Sequence, residues 1–462
     1  MSNRIYLCAA TAALFAIPFS SSAASDADLQ SIREQIQQLK QSYEQRIAQL
    51  EQRLQQAETS SKNAENTAVQ AQATAQQASR PAATGANSFN PGISLILSGT
   101  YGQLKQDPAT PVTGFAMNPN QGHEQGFNLG ESELGISANI DPQFRGIGTF
   151  ALDPAGGVSA ENAFIQTRGL DNGFNLKFGR FFSGLGYLNE QHAHAWDFVD
   201  QPLVYRVLWD NQIGEDGLQL KWLAPTDMFV EIGGEIGRGR GFPGTDRQNK
   251  NGAGAGVLFA HIGDDIGIEH SWRAGVSVHQ TKRVNAESVD VPDLSGNLVT
   301  DMFSGNSQTA GLDFVWKYSP NGNIRNRYLK VQGEHFRRKG DGMLTYDTGA
   351  AVSGPTTDSY AITQSGWYLQ SVYQFMPAWR AGLRYDRLDP GAASIGALNA
   401  GNVIGNYDFN PSRLTWMADY SPSEFSRIRL QLARDKSRQG LADNQFFLQY
   451  IMSLGAHGAH QY

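Results

Sequence analysis

The segment 366–386 alternates apolar and polar residues in two runs, which are separated by Met376, Pro377 and Ala378. Successive side chains of a β-strand point to opposite faces, so each run has one apolar face and one polar face. The runs are roughly 9–11 residues long, enough for a tilted strand to cross a bilayer, whereas strands in soluble proteins usually have about 5–6 residues. The segment therefore predicts a hairpin of a transmembrane β-barrel, with its apolar face in lipid.

The same alternation recurs along residues 93–454, and it predicts about sixteen strands, among them 174–182, 328–338 and 366–375. Bacterial outer-membrane barrels have even strand numbers, with short turns on one side and long loops on the other. The predicted connections alternate in this way, and both ends of the barrel then lie on the short-turn side. The predicted fold class is all-β: a transmembrane antiparallel β-barrel of about 16 strands, residues 92–462, preceded by an α-helical coiled coil.

The N-terminal residues 1–24 predict a secretory signal peptide. Arg4 supplies positive charge, an apolar run follows from Leu7 to Phe19, and Ser22-Ala23-Ala24 offers a small-residue cleavage site. A signal peptide followed by barrel strands predicts the outer membrane of a Gram-negative cell. The formal net charge of −7 argues against general nucleic-acid binding.

Residues 25–80 differ in composition from the rest of the chain, because Gly and Pro are absent and Gln, Glu, Ala, Lys and Arg dominate. Apolar residues at 29, 32, 36, 39 and 43 are spaced 3-4-3-4, and a seam of small residues continues this spacing towards residue 78. Sustained heptads of this kind predict a coiled coil, which we place in the periplasm as a self-associating stalk. The alternative is a solvated helical spacer. Residues 81–91 read as a flexible linker into the barrel.

The polar faces of the strands predict the lining of a water-filled lumen. An Arg or Lys facing lipid at mid-membrane would cost about 2–4 kcal/mol, so we assign the basic residues to the inside. Basic residues on successive strands form a wall, and rings of Arg and Lys favour anions. The alternative is that lumen charges of mixed sign only hold water and brace loops. The predicted pore-lining residues are Lys177, Lys221, Arg273, Lys317, Arg380, Arg384, Arg413, Arg427 and Arg429.

The long connection 183–216 is predicted to fold into the barrel as a constriction. It is unusually rich in apolar and aromatic residues for an outer loop, including Trp196, Tyr205 and Trp209. These side chains would pack against the wall while polar ones narrow the channel. The predicted constriction residues are Glu190, His192, His194, Asp197, Asp200 and Arg206.

The histidines of this connection invite a second hypothesis, binding or uptake of zinc or copper. Ligand types that suit these metals occur at Glu190, His192, His194 and Asp197. His457 and His460 form another pair. Loop histidines are more often plain polar residues, so we predict no resident metal. No Ser/His/Asp spacing, phosphate-cradling glycine loop or HExxH helix is present, so we predict no catalytic residue, no cofactor and no enzymatic activity.

The strand-and-loop segment NLKFGRFFSGLGYLNEQHAHAWDFVDQP, residues 175–202, resembles the corresponding region of the phosphate-selective porin family. The resemblance extends over residues 90–462, and the aromatic C-terminal residue Tyr462 is part of it. It implies a homotrimer and passive diffusion of anions, and it identifies no individual phosphate-binding residue in this chain. The resulting expectation is an outer-membrane channel for small hydrophilic solutes, with a preference for anions.

Overall fold

The computed structural model describes residues 91–117, 122–152, 156–244, 249–287, 290–403 and 406–455, and four residues nearer the N-terminus. Those four, Gln37, Lys40, Gln41 and Glu44, are helical, and Lys40 Nζ lies 3.9 Å from a carboxylate oxygen of Glu44. The predicted signal peptide, the rest of the predicted coiled coil, most of the linker and the C-terminal histidine pair lie outside the described residues. The chain divides into two compact units, 1–88 and 89–462.

The second unit is a closed antiparallel barrel of sixteen strands, which confirms the predicted barrel. The strands are β1 (Gly92–Gln103), β2 (Ser132–Asn139), β3 (Phe144–Leu152), β4 (Val158–Thr167), β5 (Phe174–Phe182), β6 (Gly214–Leu223), β7 (Phe229–Gly237), β8 (Ala255–Ile266), β9 (His270–Glu287), β10 (Met302–Tyr318), β11 (Tyr328–Tyr346), β12 (Thr356–Met376), β13 (Trp379–Asp389), β14 (Ser412–Ser423), β15 (Ser426–Lys436) and β16 (Asp443–Gly455). Each strand pairs with the next. The sheet closes at β1, where Leu95 pairs with Leu134 of β2 on one side and with Leu454 of β16 on the other.

A few short elements complete the described fold. The three-residue strands Gly126–Asn128 and Ala393–Ile395 extend the sheet next to β1 and β12, and Val291–Pro292 pairs with Leu298–Val299 in a separate ribbon. Three 3-10 turns lie at Asp171–Gly173, Ala193–Ala195 and Pro320–Gly322, and one helix, α1, spans Leu203–Trp209. Among the described residues, no helix has both the length and the apolar character needed to cross a membrane.

The connections sort into two ends of the barrel. At one end, here the short-turn end, they have two to nine residues, as at 377–378 and 319–327. At the other, the long-loop end, they reach 31 residues in the connection 183–213. The predicted strand β5 has the predicted bounds, but β11 and β12 run eight to ten residues further towards the long loops than predicted. Their ladder hydrogen bonds continue where apolar and polar residues no longer alternate regularly, so hydrophobic alternation ends before the strand does.

The side chains of the barrel separate into an apolar outer face and a polar inner face. On β15, Ile428 and Leu432 are exposed whereas Arg429 and Gln431 between them are buried. Aromatic pairs lie at strand ends near the short turns; for example, the Trp379 and Tyr420 rings are 4.6 Å apart. Aromatic girdles that flank an apolar band are typical of barrels in lipid.

Candidate functional site

The connection 183–213, here called the inward loop, forms the main hydrophobic core of the described barrel. All seven residues of helix α1 are buried, and Trp209 is 1% exposed. Trp209 packs edge-on against Phe336 of β11, with ring centroids 4.7 Å apart, and the same core includes Phe259 of β8. These partners belong to the polar-lined face that points away from the exposed apolar residues. The inward loop therefore lies inside the barrel.

Asp200 fixes the inward loop to two strands. Its carboxylate oxygens lie 2.7 Å from Arg384 Nη2 on β13 and 2.6 Å from Arg413 Nη1 on β14. Both guanidinium groups also donate to loop carbonyls, Arg384 to Asp200 and Arg413 to Gln201. Burial by itself raises the pKa of Asp200, but Arg413 and Arg384 outweigh it and hold that pKa well below its usual value.

Asp197, three residues before Asp200, holds the inward loop at a second position. Its carboxylate pairs with Lys330 of β11 and lies 3.1 Å from Arg380 Nη1 of β13, and it accepts a hydrogen bond from the side-chain amide of Gln370. Arg429 of β15 donates to the carbonyl of Trp196 at 2.6 Å. The two loop acids thus contact basic residues of β11, β13 and β14, and the inward loop covers that part of the wall.

Acids of the wall also hold the inward loop. Glu334 of β11 accepts hydrogen bonds from the backbone N–H of Tyr187 and from the hydroxyl of Tyr205, at 2.7 and 3.0 Å. Glu235 of β7 accepts from the backbone N–H of Gly184 at 2.8 Å. Buried carboxylates that accept such bonds satisfy loop donors that water cannot reach.

A cavity of about 1370 Å³ occupies the lumen at the short-turn end. We call it the vestibule. Residues next to the short turns, such as Leu170 and Leu223, line it, and so do Tyr187, His192 and His194 of the inward loop. Its charged lining comprises Arg145, Arg168, Lys177, Lys221 and Arg273 together with Glu133, Glu190, Asp227, Glu231, Asp264 and Asp265.

Glu190 joins the inward loop to the basic residues of the vestibule. Its carboxylate lies 3.1 Å from Lys221 Nζ and 3.9 Å from Lys177 Nζ. Burial alone would raise the pKa of Glu190, but the two lysines outweigh it and lower that pKa to about 2. Arg273 approaches the same region and donates to the carbonyl of Gly186 at 3.1 Å. The carboxylate therefore stays ionised throughout the physiological pH range.

His192 and His194 meet wall acids that the sequence did not associate with them. His192 Nδ1 lies 2.9 Å from Glu161 Oε2 and 3.2 Å from Glu133 Oε2, and His194 Nδ1 lies 2.7 Å from Glu133 Oε1. Ligand atoms of Glu133, Glu161 and His192 fall within 4.8 Å of one another, so this group has the spacing that a cation needs. The metal ligands predicted from the sequence, Glu190, His192, His194 and Asp197, are not brought together, because Glu190 and Asp197 pair with basic residues elsewhere.

The hydrogen bonds of His192 disfavour a metal at this group. The side-chain oxygen of Asn162 accepts from the backbone N–H of Phe182, which turns its NH₂ group towards His192 Nε2 at 2.8 Å. Nε2 must then accept, and Nδ1 carries the proton that faces the two glutamates. A ligating Nδ1 would have no proton. The arrangement suits hydrogen bonding and ion pairing better than metal binding.

The predicted pore-lining residues occupy three kinds of position. Lys177, Lys221 and Arg273 line the vestibule. Lys317, Arg380 and Arg427 are partly buried on their strands. Arg384, Arg413 and Arg429 are each at most 1% exposed beneath the inward loop. Arg206, predicted in the constriction, is buried on helix α1.

Sequence reasoning missed some residues that contact the inward loop. Arg338 of β11 and Gln431 of β15 both reach it: Arg338 lies 3.5 Å from the carbonyl of Leu208, and Gln431 accepts from the backbone N–H of Val199. Arg338 was detectable, because it shares the inward parity of Lys330 and Glu334 on the same strand. For Gln431, the alternation predicts only that its side chain lies on the inner face of the barrel, and not that it contacts the loop.

The closed barrel is similar in fold to solved structures of outer-membrane proteins. Outer-membrane-expressed OmpT of Vibrio cholerae is similar, with a TM-score of 0.50, 12% identity and coverage of 79% of this chain and 97% of that chain. An anion-selective porin from Comamonas acidovorans gives 0.47, also at 12% identity, over 79% and 99%. At such identities the likeness to OmpT concerns the fold alone.

The sequence also has a relative at higher identity. An uncharacterized protein of Aquifex aeolicus (strain VF5) is 30% identical over 407 residues, which cover 81% of this chain and 80% of that protein. The chain belongs to the same family as this Aquifex protein. No sequence profile of a known family matches the chain.

Proposed function

We propose that the protein is an outer-membrane channel through which small hydrophilic solutes diffuse passively. The observation that carries this proposal is the segregation of side chains around a closed sheet, with exposed apolar residues outside and polar residues around a vestibule of about 1370 Å³ inside. A closed barrel leaves no unpaired strand edge in hydrocarbon. Alternation then puts lipid on one face and water on the other. The lipid of a Gram-negative outer membrane is accordingly its immediate partner.

The proposed path runs from the long loops, past the inward loop, into the vestibule. We propose that its narrowest part lies beside Tyr187, Glu190, His192 and His194, the inward-loop residues that line the vestibule. We propose that Arg384, Arg413 and Arg429 anchor the inward loop, since each is buried beneath it. Lys177, Lys221 and Arg273 are the basic residues that we assign to the path.

Conductance across a planar bilayer tests the proposal. The purified protein is expected to give discrete conductance steps, and a cysteine at Ser271, which lines the vestibule, should let a bulky charged thiol reagent reduce them. A cysteine at Leu220, on the outer face, is the matched control and should leave conductance unchanged. The channel would be refuted if the protein inserts without conducting, or if the thiol reagent leaves the conductance of the Ser271→Cys variant unchanged.

For charge selectivity, we propose a weak preference for anions rather than a strong one. Five basic and six acidic side chains line the vestibule, so no single sign dominates its field. We assign the preference to the constriction, where Lys177, Lys221 and Arg273 approach Glu190. Lys221 Nζ also lies 3.7 Å from Glu231, so the basic groups there exceed the acidic ones by only one, and the preference is weak. A reversal potential in a KCl gradient measures it directly; a cation-selective channel would contradict this assignment.

We also propose that the protein assembles as a homotrimer with a periplasmic stalk. The heptad spacing of residues 25–80 supports this proposal, because a single helix with a seam of alanines buries little area and is only marginally stable by itself. In this organisation residues 1–24 are removed as a signal peptide, residues 81–91 link the stalk to the membrane, and residues 92–462 form the barrel.

A metal-uptake channel that uses the histidines of the inward loop is not the favoured alternative. The protonated face of His192 points at Glu161 and Glu133, and Asn162 occupies its other nitrogen. An enzymatic function likewise has no supporting constellation among the described residues. Passive diffusion remains the function that accounts for both the outer surface and the vestibule.

A further inference from the structure

A second, smaller cavity lies at the long-loop end of the barrel. It is bounded by the outer parts of β10, β11 and β12 and by four long connections, and its volume is about 90 Å³. A site that holds one water needs about 10–15 Å³ by this kind of measure, so the cavity has room for a molecule of roughly the size of a substituted six-membered ring.

Five aromatic side chains contribute to the walls of this cavity. Phe115, Phe242, Phe303, Tyr360 and Tyr407 line it. The rings of Phe303 and Tyr360 meet edge-on with centroids 5.8 Å apart, so they form a preformed corner. Flat apolar groups gain most from such walls, because ring–ring contacts add to the area that they remove from water.

Arg338 lines the same cavity and has no carboxylate partner among the residues that the structure describes. It is 9% exposed. Its guanidinium donates to the side-chain oxygen of Gln364 at 2.6 Å, lies 3.5 Å from the carbonyl of Leu208 and stacks over the Phe242 ring at 5.6 Å. Gln364 in turn donates to the carbonyl of Gly114. Among the described residues these partners are all neutral, and a buried cation with neutral partners only is costly.

A second polar group points to the same ligand. Ser307 of β10 is 5% exposed, lines the cavity, and its hydroxyl has no hydrogen-bond partner among the described residues. The strand register places it opposite Gly340, two residues from Arg338. A buried hydroxyl and an uncompensated guanidinium on adjacent strands form a donor set that suits a carboxylate.

Two acids also line the cavity, and both are already engaged. Asp293 accepts hydrogen bonds from the Tyr346 hydroxyl and from the backbone N–H of Ser295 and Asn297. Asp301 accepts from the backbone N–H of Asp347. Neither forms an ion pair with Arg338 in the described part of the chain. The positive charge of the guanidinium can therefore pair with a ligand carboxylate.

We propose that this cavity binds a small aromatic carboxylate, with the carboxylate on Arg338 and Ser307 and the ring between the aromatic walls. The proposal deepens the channel function by naming a class of solute that the outer mouth captures. Binding is measured on the detergent-solubilised full-length protein and does not require conduction. Loss of binding with intact conductance would therefore overturn only this proposal, whereas absence of conductance would overturn only the channel.

The test is isothermal titration calorimetry with benzoate and with two comparison compounds, one without the carboxylate and one without the ring. Benzyl alcohol keeps the ring without the charge, and acetate keeps the charge without the ring; each should bind at least tenfold more weakly than benzoate. Arg338→Gln should weaken benzoate binding at least tenfold. Arg337→Gln, the exposed neighbour on the same strand, is the matched control and should bind like the parent protein.

Ser307→Ala provides an independent variant that removes one hydroxyl, and we expect it to weaken benzoate binding several-fold while the barrel stays folded. Heat-modifiable migration on a gel confirms folding of each variant. The proposal is overturned if the parent protein gives no benzoate heat, if benzyl alcohol binds as tightly as benzoate, or if folded Arg338→Gln binds benzoate unchanged.

Discussion

Replacement of Asp200 by asparagine tests how the inward loop is held. The carboxylate contacts Arg384 and Arg413 at 2.7 and 2.6 Å, and all three side chains are at most 5% exposed. Loss of one partner from a buried ion pair costs about 3–5 kcal/mol. We take about 3 kcal/mol, because Asp386 still contacts both guanidinium groups. The ratio of docked to undocked loop should then fall by roughly 10²-fold, at about 1.4 kcal/mol for each factor of ten.

Single-channel recording is the assay for this variant. The parent protein should give steady conductance, and Asp200→Asn should give frequent transitions to a wider state. Asp210→Asn is the matched control, since Asp210 follows helix α1 in the same loop but is exposed. Identical open-channel noise in Asp200→Asn, Asp210→Asn and the parent would refute the assigned anchor.

The same anchor predicts a pH dependence. Arg413 and Arg384 hold the pKa of Asp200 well below that of the unfolded chain, against the effect of burial. The stabilisation is therefore complete above the unfolded pKa of about 3.9 and is lost only as the pH falls through the lower, folded value. The difference in open-channel noise between the parent protein and Asp200→Asn, which isolates this contact, should thus be constant from pH 8 to about pH 4.

Three further changes test other parts of the account. Glu190→Gln should raise the anion-to-cation permeability ratio about two- to fivefold, since a unit charge ~8 Å from the path contributes ~0.5 kcal/mol in water; reversal potentials measure this, and Glu424→Gln, in an exposed turn, should leave the ratio unchanged. Leu383→Arg, on the outer face, should destabilise the barrel by about 2–4 kcal/mol in lipid vesicles, whereas Leu398→Arg, exposed in a long loop, should change stability little, and equal effects of the two would contradict the lipid assignment. Deletion of residues 25–80 should reduce the trimer fraction in native mass spectrometry while single-channel conductance persists; an unchanged trimer fraction would exclude the stalk as the source of assembly.

The strands could be predicted from the sequence because alternation is a local property. On β13 and β15 the polarity of each residue indicates the face on which it lies. Leu383 and Ile428 are exposed on the outer face, as the alternation predicts. The outer parts of β11 and β12 were not predicted because apolar and polar residues do not alternate regularly there, so only the ladder hydrogen bonds between the two strands define them. Barrel closure likewise depends on pairing between β1 and β16, which no local pattern reveals.

The inward loop illustrates what composition can and cannot indicate. Its aromatic content predicts burial, because Trp196 and Trp209 would be costly to leave in water. Composition does not predict the partners of the loop, because Asp200 contacts Arg413, which is 213 residues away in the chain. Without that pairing the arginines of β13 to β15 look like an open basic wall, and with it they lie under the loop. That Arg338 has only neutral partners among the described residues could be recognised only once the contacts of Asp293 and Asp301 were known.

The most direct test of the account is the accessibility of spin labels on adjacent residues of one strand pair. Cys8 is the only cysteine of the chain, so single cysteines can be introduced cleanly at Leu220 and Ile232, which are exposed on the outer face, and at Lys221 and Glu231, which line the vestibule. In lipid vesicles, labels at the first two positions should collide with oxygen and not with a water-soluble nickel chelate, and labels at the other two should show the reverse. Equal accessibility at all four positions would contradict a barrel with lipid outside and water within.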